Sequence, residues 1–177
     1  VNGPAVGLGA SIALLCDVIL MADTAVIADP HVRVGVVAGD GGAAIWPLLL
    51  GPARAKQYLM TGDPLTANEA ERIGLVNRVV PAADLDREAM AFAARLAAGA
   101  PLAVQFTKQA VNKLVKDALN IAFDTSLALE LVRAAAAGGP VPDRGVPWGG
   151  LCGWVEYDGS FVFGVYQEML VHDHATG

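Results

Sequence analysis

The residues of this chain whose chemistry could act on a ligand fall between Gly7 and Asp40. The first device is main-chain. Gly7-Leu8-Gly9 leads into Ala10-Ser11-Ile12-Ala13-Leu14-Leu15-Cys16, a glycine turn feeding a helix. Such a turn offers unpaired N–H groups at the positive end of a helix, which suits an anion or a developing oxyanion. The same pattern also serves close packing of a helix on a turn. It is not a dinucleotide fingerprint, because Ile12 stands where the third glycine belongs and no acidic residue follows where a ribose contact is expected.

The second device is His31, after Pro30. Its unperturbed pKa, near 6.5, suits a general acid or base, and an imidazole bonding a carbonyl at a strand end is the other reading. Ser11 is either a helix residue bonded to its own backbone or a reactive hydroxyl. A Ser11–His31 nucleophilic dyad lacks, in sequence, an acid to orient the ring. Asp40, in Gly39-Asp40-Gly41-Gly42, either caps the helix that begins near Gly41 or faces a ligand. His172 and His174 flank Asp173, but two histidines at i, i+2 make a poor ligand set, so no metal is expected. Trp148 and Trp154 read as tail composition, and Met21, Met60 and Met90 as core filler.

These groups need a scaffold, and the composition bounds it. The chain has 177 residues, 54% of them hydrophobic and 17% charged, which suits one domain with a buried core and excludes disorder for its bulk. Twelve Lys+Arg against eighteen Asp+Glu give a net charge of −6, so no basic field exists to gather nucleic acid. The apolar run Pro4 to Cys16 stops at Asp17, short of the roughly 18–20 residues of a membrane span, and reads as a buried core helix. Cys16 and Cys152 fit neither a disulfide framework nor a metal knuckle, and no basic segment precedes the first apolar run. A reducing, cytoplasmic setting is expected.

From Pro4 to Val80 short apolar runs alternate with helical stretches, the pattern of an α/β arrangement built from crossover units. Val18 to Met21 and Ala25 to Ala28 read as strands around Asp23-Thr24. Val32 to Ala38 is β-branched and apolar until the glycines break it. A short helix containing Pro47 follows, and a further helix is expected from Pro52 to Thr61. Thr66-Ala67-Asn68-Glu69 is a capping box, Gly74 closes its helix, and Val76 to Val80 is a strand candidate. After Pro81 the pattern is helical. Leu85, Ala89, Phe92 and Leu96 form one apolar stripe, and a second helix from Pro101 places Val104, Val111, Val115, Ala118 and Ala122 on one face. Residues 138–177 are different material, with nine of the 20 Gly and six of the 11 aromatics, no Lys and one Ala. At most a short hairpin around Asp158-Gly159 is expected there.

Taken in order, Asn2-Gly3-Pro4-Ala5-Val6-Gly7-Leu8-Gly9 with Cys16-Asp17, Ala28-Asp29-Pro30-His31, Gly35, Gly39-Asp40-Gly41-Gly42, Thr61-Gly62 and Ala70-Glu71-Arg72-Ile73-Gly74-Leu75-Val76-Asn77 resemble the enoyl-CoA hydratase/isomerase (crotonase) family. The likeness is an ordered series over roughly residues 1 to 130. It implies an α/β, crotonase-like spiral of ββα units, incomplete here, followed by C-terminal helices. Residues 1–80 would be a partial spiral core, 81–137 a helical region, and 138–177 an atypical, poorly ordered tail. Val1 is expected to open inside a domain, so that the chain is a fragment.

The resemblance further implies an acyl-CoA thioester as substrate, no separate cofactor, and homotrimers or hexamers. The family's shared device is an oxyanion hole of two main-chain N–H groups around a thioester enolate. Its second donor falls on Leu8, and its first lies in a segment this sequence does not contain. Ala5, Val6, Gly7, Gly9, Pro30, Gly35, Gly39 and Asp40 would line the substrate cleft. The two glutamates that position water in hydratases fall on Ser11 and His31, neither of them a carboxylate, which leaves His31 as the acid/base candidate. Two other readings remain at this point. One is a non-catalytic acyl-CoA-binding or structural subunit, and the other is an inactive truncated product, whose tail a shifted reading frame could generate.

Overall fold

The computed structural model describes residues 1–136, 154–157 and 160–163. The 13-residue apolar run is not one buried helix. It divides into strand β1 (Ala5–Val6) and helix α1 (Leu8–Leu14), separated by Gly7 at φ 56°. The Gly7 carbonyl accepts from the amides of Ala10 and Ser11, which starts the helix at once. Ala10, Ser11 and Leu14 are buried, while Ile12 is 61% exposed.

The strand pair expected around Asp23-Thr24 forms as β2 (Leu20–Ala22) and β3 (Val26–Ala28), but the two enter different sheets. β3 lies parallel to β1, with Val6 opposite Ala28, and antiparallel to β4 (Leu65–Thr66). β2 runs parallel to β5 (Arg78–Val80). Parallel partners require crossovers: α1 and β2 lie between β1 and β3, and α2 (Gly42–Leu50), α3 (Pro52–Thr61) and α4 (Ala67–Arg72) lie between β2 and β5. Trp46, Leu14, Met21, Ile27 and Leu75 are almost fully buried and form the centre of the core.

The β-branched run Val32 to Ala38 forms no strand. The Arg33 amide donates to the Pro30 carbonyl to open a 3-10 turn over His31–Val34, and Gly35 closes it at φ 75°. Val34 stands 76% exposed. The capping box at Thr66 is half made. The Thr66 hydroxyl accepts from the Glu69 amide, but the Glu69 carboxylate turns to the Arg72 guanidinium, which holds that carboxyl below its usual range.

Helices α5 (Leu85–Ala97) and α6 (Pro101–Ala136) follow, with a bend of 108° between them. Their apolar faces are largely open: Leu85 is buried, yet Leu96, Val104 and Val111 are exposed. α6 reaches the core late, where Ser126 is buried against the Gly39 loop. Among the described residues no single helix is long and apolar enough to cross a membrane. In the tail, β6 (Trp154–Tyr157) and β7 (Ser160–Phe163) form an antiparallel hairpin, with Tyr157 opposite Ser160. Trp148, Cys152, His172, Asp173 and His174 lie outside the described residues.

Gly74 tests the backbone reading. At φ 84° it lets the Leu75 amide reach the Ala70 carbonyl and its own amide reach Glu71, and nothing lies within 4 Å of where a Cβ would stand. Gly74→Ala therefore costs backbone conformation alone, about 1–2 kcal/mol. A denaturant melt checks this, with the midpoint lowered and the slope unchanged.

Candidate active site

The parallel pairing of β1 and β3 sets the site, because it brings the ends of both strands side by side. Gly7 leaves β1 with its amide donating 3.0 Å to the Ala28 carbonyl at the end of β3. The next amide, of Leu8, opens α1 and donates to no acceptor among the described residues, and Leu8 is 36% exposed. α1 has seven residues, so this position offers one N–H group more than a long-helix dipole.

His31 lies beside that turn. A Cβ on Gly7 would stand 3.5 Å from His31 Cε1 and 3.9 Å from Nε2, so the ring covers the glycine. His31 Nδ1 is hydrogen-bonded to Asp29 Oδ1, and the His31 amide also points at that oxygen, at 3.4 Å. The side chain of Asp29 has no exposed surface. Across the ring, Nε2 is 3.5 Å from Asp40 Oδ2. Asp40 Oδ1 accepts from the Ser11 hydroxyl at 3.0 Å and from the Gly42 amide at 3.4 Å. Oδ2 of each aspartate is buried with no hydrogen-bond partner among the described residues. Donor atoms of Asp29, His31 and Asp40 lie within 4.8 Å of one another.

The glycine loop exists for this cluster. A Cβ on Gly42 would come within 2.1 Å of Asp29 Oδ2, whereas one on Gly41 would meet Ser11 at an ordinary 3.5 Å and is disfavoured by the φ of 121°. Gly41 takes the N-cap position of α2, and Asp40 accepts weakly from Gly42 while bonding chiefly to Ser11. Ser11 is 1% exposed, and its hydroxyl bonds Asp40 rather than its own backbone.

The residues expected in one cleft are thus divided. Gly7, Leu8, Ser11, His31 and Asp40 come together. Gly39 packs on Ser126 of α6 instead, and Pro30 lies under Gly62. Gly35 joins Val36, Pro47, Leu59 and Met60 around an apolar groove of about 520 Å³, with Lys56 at its wall. Ala5 and Gly9 line another, of about 510 Å³, with Ile12 and Leu85. Val6 is exposed. The residue that composition and spacing did not single out is Asp29. Its signal was present, an Asp two residues before a His across a proline, which turns both side chains to one side.

A family model described as Enoyl-CoA hydratase/isomerase matches residues 1–132. A probable enoyl-CoA hydratase of Mycobacterium tuberculosis is 41% identical over 120 residues, covering 68% of this chain and 47% of the relative. A short-chain-enoyl-CoA hydratase of Clostridium acetobutylicum is 38% identical over 130 residues, or 73% of this chain and 48% of the relative. A crystal structure of an enoyl-CoA hydratase/isomerase from Mycobacterium paratuberculosis superposes with TM-score 0.68 at 41% identity, over 72% of this chain and 50% of that one. The chain spans about half the length of the curated relatives it matches.

Gly42→Ala is expected to destabilise the protein by about 1–3 kcal/mol through the clash with Asp29. Thermal melts of Gly42→Ala, Asp29→Ala and the double variant check the cause. The double variant is less destabilised than the sum of the singles, whereas additivity would separate the two residues.

Proposed function

Since this chain belongs to the enoyl-CoA hydratase/isomerase family and has its crotonase fold, we propose that it acts on an acyl-CoA thioester by stabilising the enolate. The Leu8 N–H would receive the thioester oxygen, and His31 would move the proton at the adjacent carbon. Coenzyme A arrives with the substrate, and no separate cofactor is involved. What carries this reading is the approach of the His31 ring to the Gly7-Leu8 turn, since a basic group and a main-chain donor then serve one bound carbonyl. A thioester enolate needs both at once: a base removes the α-proton while a donor holds the charge that appears on oxygen.

The absence of both family glutamates favours proton transfer over hydration. Addition of water needs an acid and a base positioned on the same water molecule. Ser11 cannot supply either near neutral pH, and its hydroxyl is committed to Asp40. The open apolar faces of α5 and α6 support association with further copies of the chain, as homotrimers or hexamers. A reducing cytoplasm suits the exposed thiol of Cys16. The second reading, a subunit that binds acyl-CoA without turning it over, is favoured by the loss of those glutamates alone.

Leu8→Pro distinguishes them. Proline is tolerated at the first position of a helix and removes the N–H, together with a partly exposed leucine side chain for which Leu8→Ala is the control. Turnover of crotonyl-CoA and of its β,γ-unsaturated isomer is expected to fall about 10²–10³-fold, with the acyl-CoA binding isotherm changed little. Binding by the unsubstituted chain without any turnover would establish the second reading.

A further inference from the structure

We propose that Asp29 and Asp40 are positioning residues that make His31 the single proton carrier of the site. Asp29 fixes the proton on Nδ1, and Asp40 stabilises the ring when Nε2 has taken a second one. This deepens the acyl-CoA reading and rests on it.

The tautomer follows from the contact. An ionised carboxylate only accepts hydrogen bonds, so the Nδ1 that meets Asp29 Oδ1 must be the donor. Nε2 is then the basic atom of the neutral ring. Asp29 is held for this purpose from two sides, by the His31 amide on Oδ1 and by the bare Cα of Gly42 against Oδ2. Removing any freedom of the carboxylate also removes freedom of the ring, as it does for the carboxylate behind a metal-bound or catalytic histidine.

Asp40 acts differently on the two states of that ring. Its Oδ1 is tied down by Ser11 and Gly42, which leaves Oδ2 directed at Nε2 across 3.5 Å. Oδ2 is buried and has no hydrogen-bond partner among the described residues. Facing a neutral Nε2, it gains nothing at that separation. Facing Nε2–H of an imidazolium, it gains a charge-assisted hydrogen bond by a movement of about half an ångström. Asp40 therefore favours the charged ring over the neutral one, which is the difference that lowers a barrier.

The step balances without any further reactant. The C–H bond next to the thioester carbonyl breaks, and its electron pair becomes the enolate, whose oxygen meets the Leu8 N–H. The proton forms the Nε2–H bond. On return Nε2–H breaks, a C–H bond forms from the enolate pair, and His31 is again neutral with its proton on Nδ1.

The same three side chains are close enough together to hold a divalent cation. With Nδ1 given to Asp29 Oδ1, an ion would have to draw on Nε2, Asp40 and the second oxygen of Asp29, so zinc binding is one outcome of the experiment.

The experiment uses the full 177-residue chain labelled with ¹⁵N-histidine, the His31 signals being those lost in His31→Gln. Two-bond ¹H–¹⁵N spectra of the neutral ring are expected to show the proton on Nδ1, and Asp29→Ala to return it to Nε2, the tautomer preferred by a histidine side chain in water. Asp40→Asn is expected to leave the tautomer and the melting temperature unchanged. It is also expected to slow exchange of the α-protons of butyryl-CoA in D₂O about 10²-fold. A wild-type proton on Nε2, or exchange unaffected in Asp40→Asn, overturns the proposal even if Asp29→Ala fails to fold. Displacement of the His31 nitrogen signals by equimolar zinc chloride overturns it in favour of a metal site. Wild-type chain that shows the Nδ1 proton but exchanges nothing overturns the acyl-CoA reading, and the proton-carrying role with it, while leaving the dyad as measured.

Discussion

A carboxylate with no surface of its own governs this structure. Taking Asp29 out of water costs several kcal/mol unless the lost hydration is replaced, and among the described residues His31 replaces part of it at Oδ1, through both its ring and its amide. Each neighbour is constrained in turn. Residue 42 must be glycine because the second carboxylate oxygen occupies the space of its side chain. The chain must turn between Asp29 and His31 for one to reach the other, and Pro30, followed by a 3-10 turn instead of a continued strand, makes that turn.

Strand register transmits the constraint to the rest of the site. Val6 lies opposite Ala28, so the residue after each strand, Gly7 and Asp29, emerges at the same end of one small sheet. Gly7 then reverses into α1 with its amide on Ala28, and the reversal exposes the Leu8 amide while placing Ser11 one turn on, facing the loop that carries Asp40. A slip of one residue in a parallel pair would send the side chains of β1 to the opposite face. The buried Ala5 and Ile27, paired across the two strands, oppose it.

Local rules made much of this legible. Proline at the start of α3, threonine ahead of α4 and the left-handed Gly74 act through neighbours within a few residues, and the boundaries read from them agree with the fold. The family and its fold were legible in the ordered motifs. What local pattern could not carry was partner choice. β2 and β3 are separated by a short turn yet pair elsewhere, and Val32 to Ala38 has strand composition yet opens on a 3-10 turn. The run from Pro4 to Cys16 is apolar throughout, but one glycine at positive φ divides it. Asp29 matters through its burial rather than its residue type, and burial is not visible in a local pattern.

The same geometry explains why residues 11, 31 and 40 cannot be considered one at a time. Ser11 donates to a carboxylate 3.0 Å away, so a glutamate at that position would set a second negative charge against Asp40 in a site that already buries Asp29. Like charges at such a distance cannot both stay ionised without large compensation. A serine at position 11 and an aspartate at position 40 are therefore complementary, and so are a histidine at position 31 and the two aspartates that face its nitrogens. The site sets one imidazole between two fixed carboxylates. An imidazole held in this way suits taking up and returning one proton better than holding a water molecule from two sides.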